Sequence, residues 1–235
     1  MGAIFKRELR SYFYSPLGYA FIIVMWVASG YFFTYMLANS VSYIEYIFQS
    51  LLSIVMMIIP ILTMRLLSED KKLKTDQLLF TSPVNTSGVV WGKYFAALVM
   101  FLIGIASTVV YIVILATFTT PNWNIFLGNF LGLALLGGAL ISIGLLISSL
   151  TENQMISAIV SFAVMMFIFA FDTIAQIIPP NLSFISTIIK ELSFTSRYND
   201  FVSGILNISH IVFFISIIVV FNFLTVRLIE RKRWS

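Results

Sequence analysis

Apolar residues follow one another in this chain for longer than a soluble core requires. Runs free of charge cover residues 11–44, 46–64, 94–151, 153–171 and 201–226. About 20 apolar residues cross a bilayer core as a helix. The run 94–151 exceeds that and is cut by the turn signal Thr119-Thr120-Pro121-Asn122, so it holds two spans. The pattern predicts six spans, near 16–38, 44–64, 92–117, 125–150, 156–178 and 208–226. Backbone in hydrocarbon must satisfy its own hydrogen bonds, and the alternation of a membrane barrel is missing. The expected fold is an all-α integral membrane protein, one transmembrane domain over residues 1–235.

Shorter amphipathic stretches punctuate the spans. Residues 3–14 put Phe5, Leu9, Tyr12 and Phe13 on one side and Lys6, Arg7, Glu8 and Arg10 on the other, the pattern of an elbow helix lying in the membrane interface. Ser15 is placed to cap the next helix, with Pro16 first in it, where a missing N–H costs nothing. The longest polar interruption is residues 69–93. It carries Lys71, Lys72 and Lys74 on one side of a short helical turn and Leu73, Leu78, Leu79 and Phe80 on the other. Ser82-Pro83 breaks it, and Thr86 or Ser87 offers an N-cap for an apolar helix entered at Val89. A helix of this kind between two spans cannot bury its apolar edge alone, so it is expected to dock on a soluble partner.

Residues 151–154, Thr-Glu-Asn-Gln, are the whole connection between the fourth and fifth spans. They serve either as a second contact point or as the cap of the fifth span, through Thr151 and Glu152. Pro60 is placed to kink the second span, and the glycines of the fourth, Gly128, Gly132, Gly137, Gly138 and Gly144, to pack helices closely within one chain. After Pro179-Pro180, residues 181–207 are expected to form two amphipathic helices at the outer leaflet, serving as an external gate. One carries Phe184, Ile185, Ile188, Ile189 and Leu192, the other Tyr198, Phe201, Val202 and Ile205.

Composition agrees: 60% of residues are apolar and only 10% charged. Without cysteine there is no thiol chemistry, and a single histidine, His210, argues against a multi-histidine metal or haem site, so no cofactor is expected in this chain. The first residues lack the apolar core of a cleaved signal peptide. With the N-terminus inside, twelve of the fourteen Lys and Arg residues fall on the inner side and only Lys190 and Arg197 outside, which predicts both termini in the cytosol. The net charge of +4 is then accounted for by lipid headgroups, with no need of nucleic acid. Glu45 and Asp172 lie near the outer boundary, where snorkelling or hydrogen bonding accounts for them more readily than the alternative of a proton or sodium role, and His210 reads as an interface residue. Gly92-Lys93 is not a Walker A motif: Ser87 stands where its first glycine belongs and Tyr94 where Ser or Thr is needed. With no paired carboxylates either, an enzyme is not expected.

Within residues 69–98, Thr75, Leu78, Leu79, Thr81, Ser82, Pro83, Val84, Gly92 and Lys93 form a recognisable series, joined by the SSLTENQ turn at 148–154 and a terminal Arg-Lys-Arg-Trp. On these residues the chain resembles the permeases of ABC-2 type transporters, and looks most similar to the small ones grouped with gliding-motility and nitrous-oxide-reductase accessory transporters. Lys74 stands where glycine is usual and Gln77 where glutamate is usual. The resemblance implies a multi-pass subunit of a bacterial or archaeal cell membrane that exports apolar or amphipathic cargo. It implies pairing with a second permease copy or homologue, and ATP-binding-cassette ATPase subunits that hold ATP and Mg. The family's coupling helix maps onto residues 69–80, making Glu69, Leu73, Thr75, Gln77, Leu78, Leu79 and Phe80 expected ATPase contacts, with Glu152 and Asn153 on the second turn. Its translocation route maps onto Met56, Met57, Phe162, Met165, Met166 and Phe169, residues that equally suit a lipid-facing surface. The alternative is a membrane scaffold or assembly factor that recruits a soluble partner without transport. A secondary transporter is disfavoured, because ion-coupling residues at mid-membrane and an inverted repeat are both missing.

Overall fold

Ser15 makes the first bend: its Oγ accepts a hydrogen bond from the Leu17 N–H at 3.3 Å, and Pro16 opens the following helix, as the sequence predicts. The computed structural model describes residues 1–39, 43–74, 85–177, 191 and 193–234, and among them it has helices and no strand. Before the bend lies α1 (Gly2–Tyr14). After it come α2 (Pro16–Ala38), α3 (Glu45–Thr63) and the short α4 (Ser68–Lys72). Then follow α5 (Thr86–Ile105), α6 (Ser107–Ala116), α7 (Trp123–Leu150), α8 (Gln154–Ile177), α9 (Phe194–Val202) and α10 (Ile208–Trp234). Six stretches are long and apolar enough to cross a membrane: Pro16–Ala38, Glu45–Lys72, Thr86–Ala116, Trp123–Leu150, Gln154–Phe171 and Ile208–Arg231. The all-helical expectation is met.

The core gathers around α7, which is buried along most of its length and packs on α3, α5, α8, α9 and α10. Two of its glycines make that possible. A Cβ at Gly137 would lie 2.2 Å from the Phe101 ring, and one at Gly144 would lie 2.3 Å from Thr63 Oγ1. These glycines therefore pack helices within one chain, as expected. By contrast α8 is held by a narrow stripe, Ser157, Ser161 and Met165, four residues apart, and leaves most of its surface open.

Several local expectations are corrected. The third span is two helices, with Ala106 between them. There the Thr108 hydroxyl donates to the Ile105 carbonyl at 2.7 Å, and Ser107 Oγ lies 2.9 Å from Ser29 Oγ on α2, side-chain bonds that compete with the helical ladder. The cap of α8 is Asn153, whose Oδ1 accepts from the Met155 N–H at 2.9 Å, and neither Thr151 nor Glu152. The helix expected from Val89 begins at Thr86, and the Thr86 hydroxyl donates to Glu230 on α10 at 2.9 Å instead of capping. At the far end, α9 packs on protein. Its Tyr198 and Phe201 are buried against the bundle, Tyr198 donates to the Phe48 carbonyl at 3.3 Å, and Asn129 Nδ2 donates to the Val202 carbonyl at 3.2 Å. The first of the two expected outer helices falls on residues outside those described, except Glu191.

Candidate functional site

One end of the bundle, the base, brings together α1, the chain after α3, the start of α5 and the turn between α7 and α8. The end of α3 is closed by a residue of α7. Ser148 Oγ accepts from the N–H groups of Leu67 and Ser68, both at 3.1 Å, and donates to the Met64 carbonyl at 3.1 Å. The carbonyl belongs to the end of α3 and the two N–H groups to the start of α4, the backbone groups that helix termini leave without intrahelical partners. Lys71 of α4 donates to the Ser149 carbonyl, so α4 lies against the last turn of α7, beside residues 151–153. Leu73 ends α4 with 63% of its surface exposed, and Lys74 follows in a left-handed conformation, φ 56°. That backbone explains the glycine usual there in the resemblance, because a side chain at positive φ is strained.

Beneath α4 sits a buried cation. Lys93 on α5 is 1% exposed, and its Nζ lies 3.1 Å from Glu8 Oε1 on α1 and 2.7 Å from Asp70 Oδ2 on α4. Glu8 is also held by Arg7 at 2.6 Å. Burial opposes the charge on Arg7, but the bonded carboxylate outweighs it and the guanidinium pKa is raised. A second cation repeats the linkage. Arg65 donates through Nη1 to Ser15 Oγ at 2.6 Å and through Nη2 to Ser11 Oγ at 2.7 Å, while its Nε lies 3.0 Å from Glu69 Oε2. Its guanidinium also sits 5.3 Å from the Tyr12 ring centre, and the Tyr12 hydroxyl donates to the Leu62 carbonyl at 2.9 Å.

The family model described as ABC-2 family transporter protein matches residues 4–230, nearly the whole chain. The chain belongs to this family. It is a multi-pass membrane protein and the permease component of an ABC transporter, and the family implies association with ABC ATPase subunits. No curated protein matches the chain.

Of the residues expected to meet an ATPase subunit, the permease places Glu69, Leu73, Glu152 and Asn153 together at the base. Glu69 is half-buried and paired with Arg65, whereas Leu73, Glu152 and Asn153 are exposed, Asn153 also serving as a cap. Thr75, Gln77, Leu78, Leu79 and Phe80 lie outside the described residues. In the elbow, Tyr12 turns inward and is buried, Phe5 and Leu9 are half-buried against the core, and Phe13 stays exposed. The apolar edge thus docks largely on protein, where the sequence suggested lipid. Of the six expected route residues, Met56 and Met165 point into the bundle, Phe169 is half-buried, and Met57, Phe162 and Met166 stand on the outer surface of α3 and α8. Met56 and Met165 face away from Met57 and Met166 because neighbours one position apart differ by about 100° around a helix.

Sequence reasoning read Glu8 with the polar face of the elbow and Lys93 as one more inner-side charge. The signal available was an acid set among three bases and a lysine inside an apolar helix. Also missed was a polar cluster at the opposite end: His210 Nε2 lies 2.8 Å from Asp200 Oδ2 and its Nδ1 lies 3.3 Å from Arg197, which pairs with Glu191 at 2.6 Å. His210 is a bridge between α9 and α10, not a bare interface residue.

Proposed function

We propose that this permease is the exporting half of a transporter for apolar or amphipathic cargo, working as a pair with a second copy, and driven by ATP hydrolysed on ATP-binding-cassette subunits seated on its base. The observation that carries the reading is the junction of α4 with the turn at 151–153, because two segments far apart in sequence form one surface there, with Leu73 and Glu152 turned outward. A large apolar side chain beside charges is what a partner's groove would take as an anchor. The basic residues of the base agree with a cytosolic position. The exposed Met57, Phe162 and Met166 supply a flexible apolar wall that a second copy would turn into a route.

The test is binding of an ATP-binding-cassette subunit to the purified permease. Changing Leu79 and Phe80 to Ser, together with Leu73→Ser, should lower affinity about a hundredfold, the equivalent of about 3 kcal/mol, with the permease melting temperature unchanged. Intact binding by the triple variant would move the contact elsewhere, and destabilisation with intact binding would show that these side chains pack inward.

A further inference from the structure

We propose that Lys93 is a positioning residue that makes the elbow helix and the partner-facing segment move as a single lever; the inference rests on the permease reading above. Lys93 binds α1, α4 and α5 together through charge, by Glu8 and Asp70 at 3.1 and 2.7 Å. Its ammonium is shut off from solvent. A buried ammonium needs its counter-charge, and Glu8 and Asp70 supply it together, so withdrawing either one weakens the site. Displacing α4 therefore pulls on Lys93 through Asp70, and on the elbow through Glu8.

The surrounding contacts make this a lever and not a local staple. Arg65 ties Glu69, next to Asp70, to Ser11 and Ser15 of the elbow, so the two segments are joined twice along one elbow face. Gly92, next to Lys93, lets the elbow approach: a Cβ there would lie 3.1 Å from Ile4 Cγ2. The pair Gly92-Lys93 thus has two separable tasks, access for the elbow and its attachment. The elbow, which the sequence presents as a membrane anchor, becomes the arm by which a push at the base reaches α2 through the short link at Ser15.

The test uses the permease bound to its ATP-binding-cassette subunit, spin-labelled at cysteines replacing exposed residues and diluted with unlabelled permease. One label pair, at Lys6 and Lys72, reports elbow against α4. A second, at Lys6 and Ser203, reports elbow against the far end. In the otherwise unaltered protein, trapping with ATP and vanadate should shift the second distance and leave the first unchanged. Glu8→Leu keeps the Lys93–Asp70 pair but cuts the charge link to the elbow, leaving the hydrogen bonds of Arg65; it should shift the first distance and at least halve the shift in the second. Lys93→Arg should behave as the unaltered protein. The neutral set Lys93→Met, Glu8→Gln, Asp70→Asn removes the charges together and so retains the fold, yet should behave as Glu8→Leu does. If the neutral set or Glu8→Leu moves like the unaltered protein, the lever is refuted while the permease reading stands. If no such subunit binds the unaltered protein, both fall together.

Discussion

Tyr12 is the residue at which burial and hydrogen bonding of the elbow can be read through pH. An exposed phenol ionises near pH 10. In the docked elbow burial raises the Tyr12 pKa further, against the opposing charge of Arg65. Below about pH 10 docked and undocked forms both keep the proton and docking does not depend on pH. Above that, only the undocked phenol loses its proton, so docking weakens by about 1.4 kcal/mol per pH unit until the docked phenol also ionises. Tyr12→Phe should abolish this alkaline loss while costing about 0.5–1.5 kcal/mol at neutral pH for the bond to Leu62. Melting temperatures of both proteins in detergent, compared between about pH 9 and pH 11, would show it as a difference that closes as pH rises. None of this was legible in the sequence, because the Leu62 carbonyl lies fifty residues away, and local spacing gives the inward face without its partner.

The helices themselves were legible, since span length and the caps at Ser15 and Pro16 depend on neighbours in sequence. What connects one helix to another was not. Ser148 reads as one more small residue of an apolar helix, yet its hydroxyl joins the end of α3 to the start of α4. Ser148→Ala should cost about 1–3 kcal/mol for each buried N–H left without a partner. It should also lower amide protection at residues 67–73, while leaving α9 at the far end untouched; unchanged protection would mean that α4 is held by Lys71 and the ion pairs alone. The open face of α8 was legible only as apolar composition. The stripe of Ser157, Ser161 and Met165 that decides which side is inward depends on where α3 and α7 lie.

For the whole molecule, the charge distribution predicts which side each end occupies. Cysteine in place of Glu152 at the base should react with an impermeant reagent only from the cytosolic side, and cysteine in place of Ser203 only from outside; both residues are exposed. Labelling of Glu152→Cys from outside would invert the arrangement and remove the base as an ATPase seat.

The two ends also differ in how their ions meet water. At the base Lys93 is buried, whereas at the far end Arg197 pairs with Glu191, whose side chain is 71% exposed. Dissolved salt screens exposed charges over about 10 Å at 0.1 M and reaches buried ones far less. Ionic strength should therefore act on this protein as a reagent for one end. Raising it towards about 1 M should increase amide exchange in α9 while α1 and α4 keep their protection, so that one end can be loosened with the other intact and no residue changed.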